Sequence, residues 1–139
     1  MKPRVVLGLG CDRGASAATI RAAIERALAQ AGCMPEDVEA AATIDRKADE
    51  AGLIEACEQA GWPLAFYGAD ELARVEVPNP SPVVMKYMGT SSVGEAAAIL
   101  RAGADKEALL VEKFKYRGAD GKHATVSICR LEIRRNEPQ

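Results

Sequence analysis

The chain has 139 residues, 48% of them hydrophobic and 27% charged, which is enough for one compact core and too short for a dinucleotide-binding unit plus a substrate domain. A formal charge of −2, from 18 Lys and Arg against 20 Asp and Glu, gives no global field toward nucleic acid or an acidic membrane, and one Trp, three Tyr and two Phe are too few for base-stacking platforms. Cys11, Cys33, Cys57 and Cys129 are scattered without a C-x-x-C pair and His123 is the only histidine, so neither a metal site, a disulfide framework nor a resident cofactor is expected.

Residues 1–4 lead straight into apolar sequence with no signal-peptide pattern, and no run is long enough to span a bilayer, so the reading is a cytoplasmic protein with reduced thiols. Arg4 to Gly10 reads as a buried strand ended by glycine. A helix follows from an N-cap at Ser16, with Ile20, Ile24, Ala27, Leu28 and Ala31 on one face and Gly32 as its stop. After the turn at Met34 to Asp37, Val38 to Ile44 reads as a second strand.

Asp45 to Glu50 is charged and is expected to open a second helix, carrying Leu53, Ile54, Cys57 and Ala60 and ending at Gly61. "WPLAFY" is a short third strand, and Asp70 to Arg74 a helical turn. Prolines at 78, 80 and 82 exclude regular structure and make residues 76–91 the main irregular loop. Ser92 and Glu95 have capping-box spacing at the start of a helix that ends by Gly103. Leu109 to Tyr116 and Ala124 to Ile133 read as strands joined by a glycine-rich turn.

This order predicts an α/β fold: three layers, α/β/α, around a mainly parallel sheet with an antiparallel C-terminal strand pair. Residues 1–134 are expected to form a single domain and residues 135–139 a solvated tail. Ligands of such sheets sit beyond the carboxyl ends of the strands, here the turn after Gly10, the charged segment after Ile44 and the proline loop.

Gly8, Gly10 and Gly14 follow the first strand, but their spacing is not G-x-G-x-x-G and Asp12 would repel a pyrophosphate, so a plain βα turn is preferred to a dinucleotide cradle. A helix N-terminus would favour a Cys11 thiolate, although a packed thiol is the commoner state. Lys47 and Glu50, three apart, fit a surface ion pair as well as a functional pair. Glu95 is first a capping residue; Thr90 and Ser91 are freer to meet a ligand. His123 reads as an ordinary strand or turn residue, and Lys113, Lys115 and Lys122 as a solvated hairpin face.

Three stretches, "GLGCDRGAS" at 8–16, "TIDRKADEAGL" at 43–53 and "GTSSVGEAAAIL" at 89–100, together resemble the family comprising the cobalamin-biosynthesis protein CobE and the C-terminal domain of CbiG. Gly8, Gly10, Cys11, Arg13 and Gly14 match its first motif, Thr43, Lys47 and Glu50 its second, and Ser92, Val93 and Glu95 to Ala98 its third. Asp12 stands where a basic residue is common, and Gly94 where alanine is common. The short chain looks like the free-standing CobE type associated with the aerobic pathway.

The resemblance implies a corrin-ring tetrapyrrole intermediate as ligand, with other cobalamin-pathway enzymes as further partners and neither nucleic acid nor membrane. Gly10, Cys11, Arg13, Gly14, Ser16, Lys47, Lys86, Thr90, Ser91 and Ser92 are the candidate ligand-binding residues. Helix N-termini near Ser16 and Ser92 each favour a ring carboxylate by ~0.3–1 kcal/mol. A carrier or accessory role is the first reading. The alternative is a hydrolase acting on a precorrin lactone, with Glu50 or Glu95 as general base and Lys47 stabilising an oxyanion. A scaffold role beside pathway enzymes is a third.

Overall fold

The computed structural model describes residues 4–78 and 92–131. Five strands, β1 (Val5–Cys11), β2 (Val38–Ile44), β3 (Leu64–Tyr67), β4 (Leu109–Arg117) and β5 (His123–Arg130), form one sheet in the order β3-β2-β1-β5-β4. β1 pairs in parallel with β2 and β2 with β3, whereas β5 runs antiparallel to both β1 and β4. The C-terminal hairpin therefore inserts its second strand beside β1. The sheet is mainly parallel, with its antiparallel pairings confined to β5.

Helices α1 (Ala17–Ala31) and α2 (Ala51–Ala60) cover one face, and α3 (Ala69–Ala73) and α4 (Ser92–Ala102) the other. The face change follows from the strand order. The chain steps outward from β1 to β3 and then returns across the sheet to β4, and a right-handed crossover in the opposite direction lies on the opposite face. Ser16 caps α1 by accepting from Thr19 N–H at 3.1 Å, and Gly32 and Gly61 end α1 and α2 in the left-handed conformation.

Side chains alternate across β1. Val5, Leu7 and Leu9 enter the core under α1, with Ile20, Ile24, Leu28 and Leu53, each fully buried apolar side chain contributing ~1.5–3 kcal/mol. Val6, Gly8 and Gly10 face α4. At Gly8 the helix comes so close that a Cβ would lie 1.9 Å from Gly94 O, so only glycine fits there. Ala98 is buried along the same contact, and Ala96 and Ala97 are buried in the cluster with Ala42 and Ile44 of β2.

The charged segment after β2 departs from the sequence expectation. Asp45–Lys47 is a single 3-10 turn and α2 starts only at Ala51, after Glu50. Lys47 and Glu50 consequently take different partners, Cys11 O for Lys47 and Arg13 with Gly14 N–H for Glu50, and do not pair with each other. Most of the proline loop lies outside the described residues, as do residues 132–139, which include the end of the expected last strand and the expected tail at 135–139.

Candidate ligand-binding site

Beyond the carboxyl ends of β1 and β2, on the α4 face, lies a cavity of about 330 Å³. β1 supplies Leu9, Gly10 and Cys11 with Asp12 just after it; β2 supplies Thr43 and Ile44, and the following turn Lys47. The start of α4 contributes Val93 and Gly94, and the hairpin contributes Lys113, Lys115, His123 and Thr125. Gly10 forms part of the floor: a Cβ there would stand 2.7 Å from Thr125 Oγ1.

Lys47 Nζ donates to Cys11 O at 2.7 Å, which ties the turn after β2 to the end of β1 and leaves two ammonium hydrogens for other acceptors. Thr43 Oγ1 donates to Leu9 O at 2.7 Å across the same two strands. Burial pushes the Cys11 thiol up to about 11 against the pull of Lys47, so it is a neutral thiol at pH 7 and a poor nucleophile.

Lys113 and Lys115 reach the cavity because β4 is bulged. Val111 pairs with Ile128 and Phe114 with Val126, so two residues of β4 oppose the single Ser127, whose hydroxyl donates to Glu112 O at 2.7 Å. Val111 packs under α1, and past the bulge Phe114 and Tyr116 take that face. Lys113 and Lys115 are thereby turned to the other side. Lys113, Lys115 and Lys122 are exposed, as expected of a solvated hairpin face, and Lys113 and Lys115 also border the cavity.

At the rim, Asp12 Oδ2 accepts from His123 N–H at 2.8 Å and stands 3.1 Å from His123 Nδ1, while Asp12 N–H donates to His123 O at 2.9 Å. The donated His123 N–H holds the Asp12 carboxyl below the usual carboxylate range. Asp12 is thus engaged with β5.

Of the residues singled out from the sequence, Gly10, Cys11 and Lys47 line the cavity. Arg13, Gly14 and Glu50 form an adjoining cluster that does not. Gly14, at φ 79°, donates its N–H to Glu50 Oε1 at 3.2 Å; Arg13 Nη1 stands 2.8 Å from Asp49 Oδ1 and 2.7 Å from Glu50 Oε2, the latter a charge contact rather than an aligned hydrogen bond. Glu50, 3% exposed, braces the β1–α1 turn. Ser16 lies farther along, and its N–H donates to Asp120 Oδ2 at 3.0 Å while Thr19 Oγ1 donates to Asp120 Oδ1 at 2.9 Å. The anion at the N-terminus of α1 is the chain's own carboxylate. Glu95 is fully buried in the first turns of α4, away from the cavity lining. Lys86, Thr90 and Ser91, and the side chain of Ser92, lie outside the described residues.

Sequence reasoning singled out Asp12 and Thr43 as motif positions without assigning them to a site, and did not assign Lys113, Lys115, His123 or Thr125 to one, yet all six line the cavity. The lysines' two-residue spacing was a signal, but their face depends on a bulge that no glycine marks.

A three-layer α/β domain with a lysine-lined cavity at the ends of β1 and β2 suits an anionic small molecule. The family model described as "Cobalamin synthesis G C-terminus" matches residues 5–129. The chain is 40% identical over 127 residues to Protein CobE of Sinorhizobium sp, covering 90% of this chain and 79% of that one. It is 41% identical over 113 residues to the cobalt-precorrin-5A hydrolase of Priestia megaterium, covering 81% of this chain but only 30% of that protein's length. A crystal structure of CobE, from the cobalamin (vitamin B12) biosynthetic pathway, superposes with a TM-score of 0.74 at 34% identity, covering 97% of this chain and 95% of that one. The chain belongs to the cobalamin synthesis G C-terminal family, and its role is in cobalamin biosynthesis.

Proposed function

We propose that this protein binds a carboxylate-bearing corrin-ring intermediate of cobalamin biosynthesis, as a carrier or accessory protein. The observation that carries the reading is the convergence of Lys47, Lys113 and Lys115 on one cavity whose remaining walls include Leu9, Ile44 and Val93. Ammonium groups meet acetate and propionate arms, and apolar walls meet ring edges. The cavity is smaller than a tetrapyrrole, so it takes one side of the ring with its arms while the rest stays outside.

Binding is favoured over catalysis because the carboxylates considered for base chemistry are committed elsewhere. Glu50 braces Gly14 and Arg13, Glu95 is buried off the lining, and the Cys11 thiol is protonated. In this reading Lys47 contacts the ligand, and Gly10 and Cys11 shape its seat. The names of the longer hydrolase relatives support a lactone-opening activity as the second reading, with Lys47 as oxyanion stabiliser.

Uroporphyrin, a porphyrin with acetate and propionate arms on every pyrrole, is a stable probe. Binding followed by its absorbance and fluorescence is expected for the wild type, and weaker binding for coproporphyrin, which lacks the acetates. No binding of uroporphyrin, or binding unaffected by replacing all three lysines, defeats the proposal. A mass change of a pathway lactone on incubation with the protein, lost in Lys47→Ala, would establish the second reading instead.

A further inference from the structure

We propose that His123, oriented by Asp12, is a proton-coupled contact for the ligand, so that binding a carboxylate at this cavity takes up a proton on the imidazole. The inference rests on the binding reading above. His123 lines the cavity and its Nδ1 faces Asp12 Oδ2 at 3.1 Å. An ionised carboxylate only accepts, so Nδ1 carries the hydrogen, and the nitrogen left to a cavity occupant is Nε2.

Neutral, Nε2 presents a lone pair, which repels a carboxylate oxygen. Protonated, it donates to one, and the imidazolium carries its charge between Asp12 and the ligand. Ligand carboxylate and proton therefore favour each other's binding, as linkage requires. Asp12 is the positioning residue: the same Oδ2 also accepts the His123 backbone N–H at 2.8 Å, which holds the carboxylate in place whatever the charge of the ring.

The charged surroundings oppose and support this uptake in known ways. Lys47, Lys113 and Lys115 on the cavity lining, Lys122 next in the chain and Arg117, the cross-strand partner of His123 on β4, disfavour a further positive charge in the free protein. Asp12 favours it. An anionic ligand neutralises the lysines and tips the balance toward the proton.

His123 is the only histidine, so its ring gives a single set of NMR signals. In the free protein, long-range proton–nitrogen correlation of the neutral ring is expected to show the Nδ1–H tautomer, and Asp12→Ala to shift it toward Nε2–H. Adding uroporphyrin is expected to raise the His123 titration midpoint, with the imidazolium form binding about three- to tenfold more tightly than the neutral form. In His123→Gln, the ratio of uroporphyrin affinities at pH 6 and pH 8 is expected to fall to the part due to the porphyrin's own carboxylates. An Nε2–H tautomer, a midpoint unmoved in the porphyrin-bound protein, or an unchanged affinity ratio in His123→Gln overturns the inference while leaving the binding reading intact. Absence of porphyrin binding removes both.

Discussion

Individual side chains divide into those that face the cavity and those that hold its walls. Lys113→Ala and Lys115→Ala, which remove exposed charges, are expected to weaken uroporphyrin binding about two- to fivefold each without changing stability, the scale of an exposed ion pair. Lys47→Ala removes a ligand charge and also the bond to Cys11 O, so weaker binding should come with a loss of ~1 kcal/mol in denaturant unfolding. Glu50→Gln tests the bracing role: it should cost ~1–3 kcal/mol of stability, and any loss of porphyrin affinity should follow that of the fold. The Cys11 thiol, raised to about 11 by burial, should resist iodoacetamide in the native protein at pH 8 and react once denatured.

At the level of elements, the contact between β1 and α4 and the docking of the hairpin on α1 set the geometry of the site. Gly8→Ala places a Cβ 1.9 Å from Gly94 O and is expected to destabilise by ~3 kcal/mol, whereas Gly94→Ala meets Gly8 O at 3.3 Å and gains helix propensity, leaving thermal stability nearly unchanged. The Asp120 carboxyl is lowered to about 2, first by the N–H of Ser16. A carboxyl depressed in the folded state stabilises fully above its unfolded value of 3.8, and that contribution disappears as pH falls toward about 2. Asp120→Asn should therefore be less stable than wild type at pH 7, with the gap closing over that acid window in urea titrations. Most of the strands and helices were legible from local punctuation: Ser16 and Gly32 bracket α1, Gly61 ends α2, and Val38 to Ile44 is β2 to the residue, whereas the charged run hid the start of α2 at Ala51. The cavity was legible only on the side built by those punctuated pieces, at Gly10, Cys11 and Lys47. Its other side depends on tertiary facts: a bulge opposite Ser127 that turns Lys113 and Lys115 over, and the pairing of β5 with β1 that brings His123 to Asp12.

Across the whole molecule, a net charge of −2 coexists with a cavity walled by three lysines, so attraction of an anion is local. Uroporphyrin affinity is expected to fall several-fold as added salt shortens the Debye length from ~10 Å at 0.1 M to ~3 Å at 1 M, a dependence that equilibrium titration would measure. The placement of β5 bears on when such a site comes into being. Because Val5 pairs with Arg130 and Cys11 with Ala124, β1 waits until the chain has passed through β2, β3 and β4 before its second edge is filled. Closing so long a loop raises the contact order and slows folding, and the nascent chain carries an open hydrophobic edge until then. Two of the three lysines and the histidine ride on that late hairpin. On the proposed reading, ligand capture needs this hairpin in place, and during refolding porphyrin binding should appear together with amide protection in β5.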